Sequence, residues 1–96
     1  MSTIGPIDIK DYDNITASVY TASGHLIAEL EYNPSRTVIN VFNVVEMDRI
    51  GRVRKDGFGE WDASRFDAST DTNWLCGTYS TVEAAIIAIL NKVVSK

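Results

Sequence analysis

Ninety-six residues, 45 % hydrophobic and 23 % charged, describe one globular domain, because a second core does not fit in a chain this short and disordered chains are poorer in apolar residues. Thirteen acidic against nine basic side chains leave a net charge of −4, which disfavours a general coat for nucleic acid. The single cysteine, Cys76, excludes an intrachain disulfide and a cysteine-built zinc site.

Residues 1–6 lack the basic and apolar parts of a secretory leader. The longest apolar run, 84–90, is far short of the ~20 residues that span a bilayer. The expectation is a soluble, cytoplasmic domain spanning 1–96, with no membrane partner. Charge is uneven: residues 1–48 carry two bases and seven acids, and residues 49–96 carry seven bases and six acids.

Residues 1–14 mix Ile4, Ile7 and Ile9 with Asp8, Asp11 and Asp13, and include Pro6. This reads as an extended arm that pairs, if at all, at a sheet edge, where proline is tolerated. The antiparallel sheet is expected over 15–79. From Ile15 a period of two places Ile15, Ala17 and Val19 on one strand face. Ala22-Ser23-Gly24 reads as a hairpin loop, and the returning strand puts Leu26, Ala28, Leu30 and Tyr32 on one face. Asn33-Pro34-Ser35 ends it, since proline lacks the ladder donor. Residues 37–45 are β-branched and apolar on both sides, the pattern of a central, doubly covered strand.

A turn at 46–48 leads to a strand at 49–55, and Asp56-Gly57 followed by Gly59 marks the next hairpin. Strands at 60–66 and 73–79 flank a polar loop at 67–72. Ser80-Thr81-Val82-Glu83 reads as a capping box with Ser80 as the cap, opening a helix over 80–95. Val82, Ala85, Ile86, Ile89, Leu90 and Val93 make its apolar stripe, and Ile87 and Val94 widen it. Either the sheet curls round this helix or a partner, a second copy included, covers the remainder. The fold class is therefore α+β: an antiparallel sheet of five or six strands packed on one C-terminal helix. Leu26, Leu30, Phe42, Val44, Val53, Ile86, Ile89 and Leu90 are the expected core.

Catalytic constellations are poorly supplied. His25 is the sole histidine and has no metal-ligand spacing. Cys76, between Leu75 and Gly77, reads as a small buried hydrophobe. Glu29/Glu31 and Glu60/Asp62 are spaced as the polar half of an amphipathic strand. Gly57 and Gly59 lie between strands and not before a helix, so no phosphate loop is expected. No enzyme activity, cofactor or metal is anticipated.

Gly-Arg-Val-Arg (51–54), Gly-Glu-Trp-Asp-Ala (59–63), Cys-Gly-Thr-Tyr-Ser-Thr-Val-Glu-Ala-Ala (76–85) and the following apolar helix resemble the plant ethylene-response-factor (Apetala-type) DNA-binding domain and the related arm-binding domains of phage integrases. The resemblance covers 51–89. It implies three antiparallel strands packed on one helix, with the open sheet face entering the major groove. Arg54 matches one of the family's DNA-reading arginines. Other reading positions hold Asp56, Ser64, Phe66 and Asn73, and Arg65 falls one residue out of register, on the opposite face. A phosphate-tracking surface needs several convergent cations.

The leading expectation is therefore a small non-enzymatic module that binds a protein partner, as an accessory or inhibitor protein of a phage or mobile element would. The alternative is a sequence-specific DNA-binding domain that uses the 49–55 hairpin. The candidate interaction surface is Arg49, Arg52, Arg54, Lys55 and Arg65, with the aromatics Phe58, Trp61 and Trp74.

Overall fold

The computed structural model describes residues 5–44, 48–67 and 72–94. Most of the expected turn at 46–48 and of the loop at 67–72 lies outside the described residues, as do the side chains of Val93 and Val94. Seven strands, β1 (Ile7–Asp11), β2 (Thr16–Thr21), β3 (Leu26–Tyr32), β4 (Val38–Asn43), β5 (Arg49–Lys55), β6 (Trp61–Asp67) and β7 (Thr72–Tyr79), precede one helix, α1 (Val82–Val94). They form a single antiparallel sheet in which every strand pairs with its neighbour in the chain.

The sheet thus has seven strands, not five or six. The additional one comes from the expected arm: Pro6 stops just short of the ladder, and Ile7–Asp11 pairs with Ala17–Thr21 of β2. Between them Asp13 Oδ1 accepts the Ile15 and Thr16 amides, both at 2.9 Å, and the Thr16 hydroxyl at 2.8 Å. These bonds fix a tight Asx-type turn. They also hold the Asp13 carboxyl below its ordinary value, the Ile15 amide contributing most.

Two later hairpins share one design. Thr21 N donates to His25 O at 2.9 Å, and Asp56 N donates to Glu60 O at 2.8 Å. Gly24 (φ +91) and Gly59 (φ +82) end the two loops in left-handed backbone. Each is a three-residue loop whose last residue must take positive φ, which glycine does without steric cost.

Ala17, Val19, Ala28, Leu30, Tyr32, Ile39, Val41, Val53 and Ala63 form the inner face of the sheet, against Ala85, Ile86, Ile89 and Leu90 of α1. The helix lies across β5, β6 and β7 and also touches β1, so the sheet curls around it. Within that curl Ala85, Ile86, Ile89 and Leu90 are buried and Val82 and Ile87 half-buried. Burying a side chain such as Ile86 or Ile89 contributes about 1.5–3 kcal/mol. Close approach needs small residues beneath the helix. A Cβ at Gly51 would stand 2.6 Å from Ile89 Cγ2 and 2.7 Å from Ser64 O.

Three expected core residues lie elsewhere. Leu26 is 42 % exposed, and Phe42 and Val44 are only half-buried. The register shift at Val19/Tyr20 is the cause for Leu26. A bulge inserts one residue and turns the following side chain to the other face. Leu26 therefore pairs with Tyr20 on the open side. Phe42 faces that side by plain alternation after the inward Val41, and the residue skipped at Val41/Phe42, Ile50, turns Arg49 outward beside it. Strand β4 is central but covered on one face only, with Val38, Asn40 and Phe42 half-buried on the other. Ile15, expected beside Ala17 and Val19, precedes β2 and is exposed. Thr81, not Ser80, caps the helix: its hydroxyl accepts the Ala84 amide at 3.2 Å.

Candidate functional site

The eight side chains of the expected surface do not share one face. Strand alternation separates Arg52 and Arg54 from Val53 and Lys55. Arg52 and Arg54 line a depression of about 260 Å³ on the open face, with Asp62, Ser64, Asn73 and Leu75. Arg52 Nε donates to Asn40 Oδ1 at 3.3 Å. Arg49, on the same side, holds its guanidinium 4.3 Å from the Phe66 ring centroid. Opposite Arg54 in register is Asp62, whose carboxylate accepts the Thr78 hydroxyl at 2.9 Å. Arginines 49, 52 and 54 therefore form a stripe along β5, while Glu29 and Glu31 stand on the open face two strands away.

Lys55 and Trp61 are cross-strand partners on the helix side, with the ammonium 5.8 Å from the indole centroid. Trp61 packs against the core. Phe58 projects from the tip of the β5–β6 hairpin and is 91 % exposed. Asp56 Oδ1 organises that tip by accepting the Phe58 amide at 2.8 Å and the Glu60 amide at 2.9 Å. Arg65 pairs with Gly51 on one side and Trp74 on the other, so both belong to the helix side, toward the opposite end from Trp61. The cations thus divide between two faces, and the three aromatics stand at three separate places.

The two outer strands of the sheet differ from one another. Along β1 run Asp8, Lys10 and Asp11, with Pro6 just before them. These are the ordinary means of keeping a sheet edge from pairing. Strand β7, Thr-Asn-Trp-Leu-Cys-Gly-Thr-Tyr, has no charged residue over eight positions. Trp74 on the helix side is 53 % exposed, and Leu75 on the open side is 70 % exposed. Large apolar side chains therefore border this edge on both faces. A bulge at Ala63/Ser64 interrupts the ladder beyond them, near Cys76 and Gly77.

One further cluster was not apparent from sequence. Where the curled sheet meets the start of α1, a groove of about 410 Å³ is lined by Ile9, Tyr32, Ile39, Trp61 and Val82. Asp11, Arg36 and Glu83 are its charged lining. Arg36 takes left-handed backbone (φ +59). Its guanidinium lies 4.3 Å from the Tyr32 ring centroid and 3.7 Å from Asp11 Oδ2, and its Nε donates to Asn14 O at 3.3 Å. Burial, reinforced by Asp11 and opposed by Arg36, pushes the Tyr32 phenol above its ordinary value. The only sequence signal was an arginine following Asn33-Pro34-Ser35, because these residues come from separate segments.

His25 is exposed in the β2–β3 hairpin, with Nδ1 3.1 Å from Ser23 Oγ. Glu29 accepts the Ser18 hydroxyl at 2.8 Å. Among the described residues no three His, Cys, Asp or Glu side chains converge as metal ligands, and no helix is long and apolar enough to cross a membrane. The described chain is an α+β protein with one antiparallel sheet and one C-terminal helix. No family model, curated protein or solved structure matches it.

Proposed function

We propose that this chain is a protein-interaction module that binds an extended segment of another protein along the β7 edge, in the manner of an accessory or inhibitor protein. The observation that carries the reading is an uncharged edge strand bordered by exposed Trp74 and Leu75. In strand addition the main chain supplies hydrogen bonds, and alternate side chains supply specificity. An exposed tryptophan provides the large, partly apolar contact typical of the residues that dominate binding energy. The charged β1 edge offers an added strand no comparable border.

A second reading has its own support. Arg49, Arg52 and Arg54 form a stripe on the open face of the β5–β7 sheet, which is where the resemblance to DNA-binding domains would place reading residues. Duplex binding would weaken by about 0.9 logarithmic units per neutralised phosphate for each tenfold rise in salt. Lys55 faces the other side, so changing Arg52, Arg54 and Lys55 to serine would flatten that slope by about two units.

Affinity capture from nuclease-treated lysate of cells that express the chain, with a separate duplex-DNA titration across salt concentrations, tests both readings. Wild-type protein, Leu75→Lys and the serine triple variant are compared. A defined partner held by wild type and by the triple variant, but lost with Leu75→Lys, supports strand addition. Leu75 is exposed, so its replacement should change stability by no more than about 0.5 kcal/mol. Equal retention by Leu75→Lys, or tight and salt-sensitive duplex binding that vanishes in the triple variant, overturns it.

A further inference from the structure

The groove at the start of α1 contains one completed recognition unit and half of another. In the completed unit the Arg36 guanidinium faces the Tyr32 ring at 4.3 Å and has Asp11 as its counter-ion at 3.7 Å. The same groove is lined by a second aromatic, Trp61, and a second carboxylate, Glu83. Glu83 is exposed and has no ion pair among the described residues. The nearest cation recorded for Trp61, Lys55 Nζ, is 5.8 Å from the ring centroid, and Lys55 does not line the groove.

We propose that this groove receives an arginine side chain of a partner protein, its guanidinium stacked on Trp61 and paired with Glu83. Three features select that occupant. The apolar lining of Ile39 and Val82 suits the methylene stem of a long side chain. Stacking on tryptophan suits a planar guanidinium better than a compact ammonium, and a carboxylate can accept it bidentately. The lining charges are two carboxylates against one guanidinium already engaged with Asp11 and Tyr32, which leaves an excess of negative charge. The Tyr32 phenol, held above its ordinary value first by burial, is pushed the same way by Asp11 more than Arg36 opposes it, and Glu83 adds to the rise.

The proposal does not depend on the β7 edge. Trp61 pairs with Tyr79, whereas Trp74 pairs with Arg65 farther along the same two strands. Failure of strand addition and failure of the groove are therefore separable.

The test titrates the full chain with acetyl-arginine amide and, as an uncharged probe of similar length, acetyl-norleucine amide. Chemical shifts of the Trp61 indole N–H and the Glu83 backbone amide are followed. The expected result is saturable movement of both signals with the arginine probe and at least about fivefold weaker binding of the norleucine probe, a difference of about 1 kcal/mol. Glu83→Gln should weaken the arginine probe by a similar factor. Glu31→Gln, which removes an exposed acid from the open face, should leave it unchanged. Because Trp61 also packs against the core, Glu83→Gln is the informative variant and Trp61→Ala is avoided. No saturable shift, equal binding of both probes, or an affinity insensitive to Glu83→Gln each overturns the proposal.

Discussion

Replacing Gly51 with alanine adds one methyl group beneath the helix, where little space exists for it. The added carbon would meet Ile89 Cγ2 at 2.6 Å, Ser64 O at 2.7 Å and Ile89 Cδ1 at 3.0 Å. Carbon atoms in contact prefer about 3.5–4.0 Å, so either α1 lifts or the β5–β6 ladder opens. Overpacking of this kind costs about 1–3 kcal/mol. Ile89→Ala, which empties a fully buried position, costs about 2–5 kcal/mol. The two changes are not independent, because the alanine at 89 removes both side-chain atoms that crowd the new methyl. The Ser64 carbonyl remains, so relief is partial. The double variant should therefore be more stable than the sum of the singles predicts, by about 1 kcal/mol, within the range for residues in contact. Urea unfolding at constant slope measures each corner of the cycle. In a domain this size each kcal/mol lowers the melting temperature by roughly 4–8 °C. A Gly51→Ala loss below about 0.5 kcal/mol, or a strictly additive cycle, would refute the close contact between β5 and α1.

Asp13 gives a pH signature. Its carboxyl is held below the ordinary value of 3.8 by the Ile15 amide first and then by Thr16. The stability it contributes is present above about pH 4 and is lost as pH falls through the lower folded value. NMR titration should place its midpoint below that of a free aspartate, and Asp13→Asn should lose stability relative to wild type at pH 6 but much less at pH 2. Arg36 offers a backbone test. Arg36→Ala and Arg36→Gly both lose the stack on Tyr32 and the contact with Asp11, but only alanine retains a side chain at φ +59. The glycine variant should be the more stable of the two by about 1 kcal/mol in thermal melts.

The helix was legible because its period is long and uninterrupted. Ala85, Ile86, Ile89 and Leu90 fall on one stripe, and all four are buried. Strand faces were legible only as far as the first bulge. A period of two carries no memory across an inserted residue, so Leu26 was assigned to the wrong side. Phe42 was expected in the core because an apolar run on both sides reads as doubly covered, and β4 is covered on one face only. The same alternation does explain why Lys55 parts company with Arg52 and Arg54. Cap placement failed for a different reason. Ser80 and Thr81 both carry hydroxyls, and only the chain's path after β7 decides which one meets the Ala84 amide. The groove was illegible because Asp11, Tyr32, Trp61 and Glu83 are joined by the curl of the sheet and by no spacing in the chain.

That curl, with strands laid down in chain order, also bears on how the molecule assembles. Each strand pairs with its immediate predecessor, so the ladders close short loops and incur little of the entropy that slows distant pairing. As a nascent polypeptide lengthens, hairpin can add to hairpin from the amino end. The hydrophobic trough is sealed last, when α1 settles over β5–β7 and reaches β1. Until then Val53 and Ala63, on strands that α1 crosses, lack the cover of the helix. A truncation before Val82 would leave that trough open to water, and such a product is expected to appear in the insoluble fraction, since exposed apolar surface is what drives incompletely folded chains to aggregate.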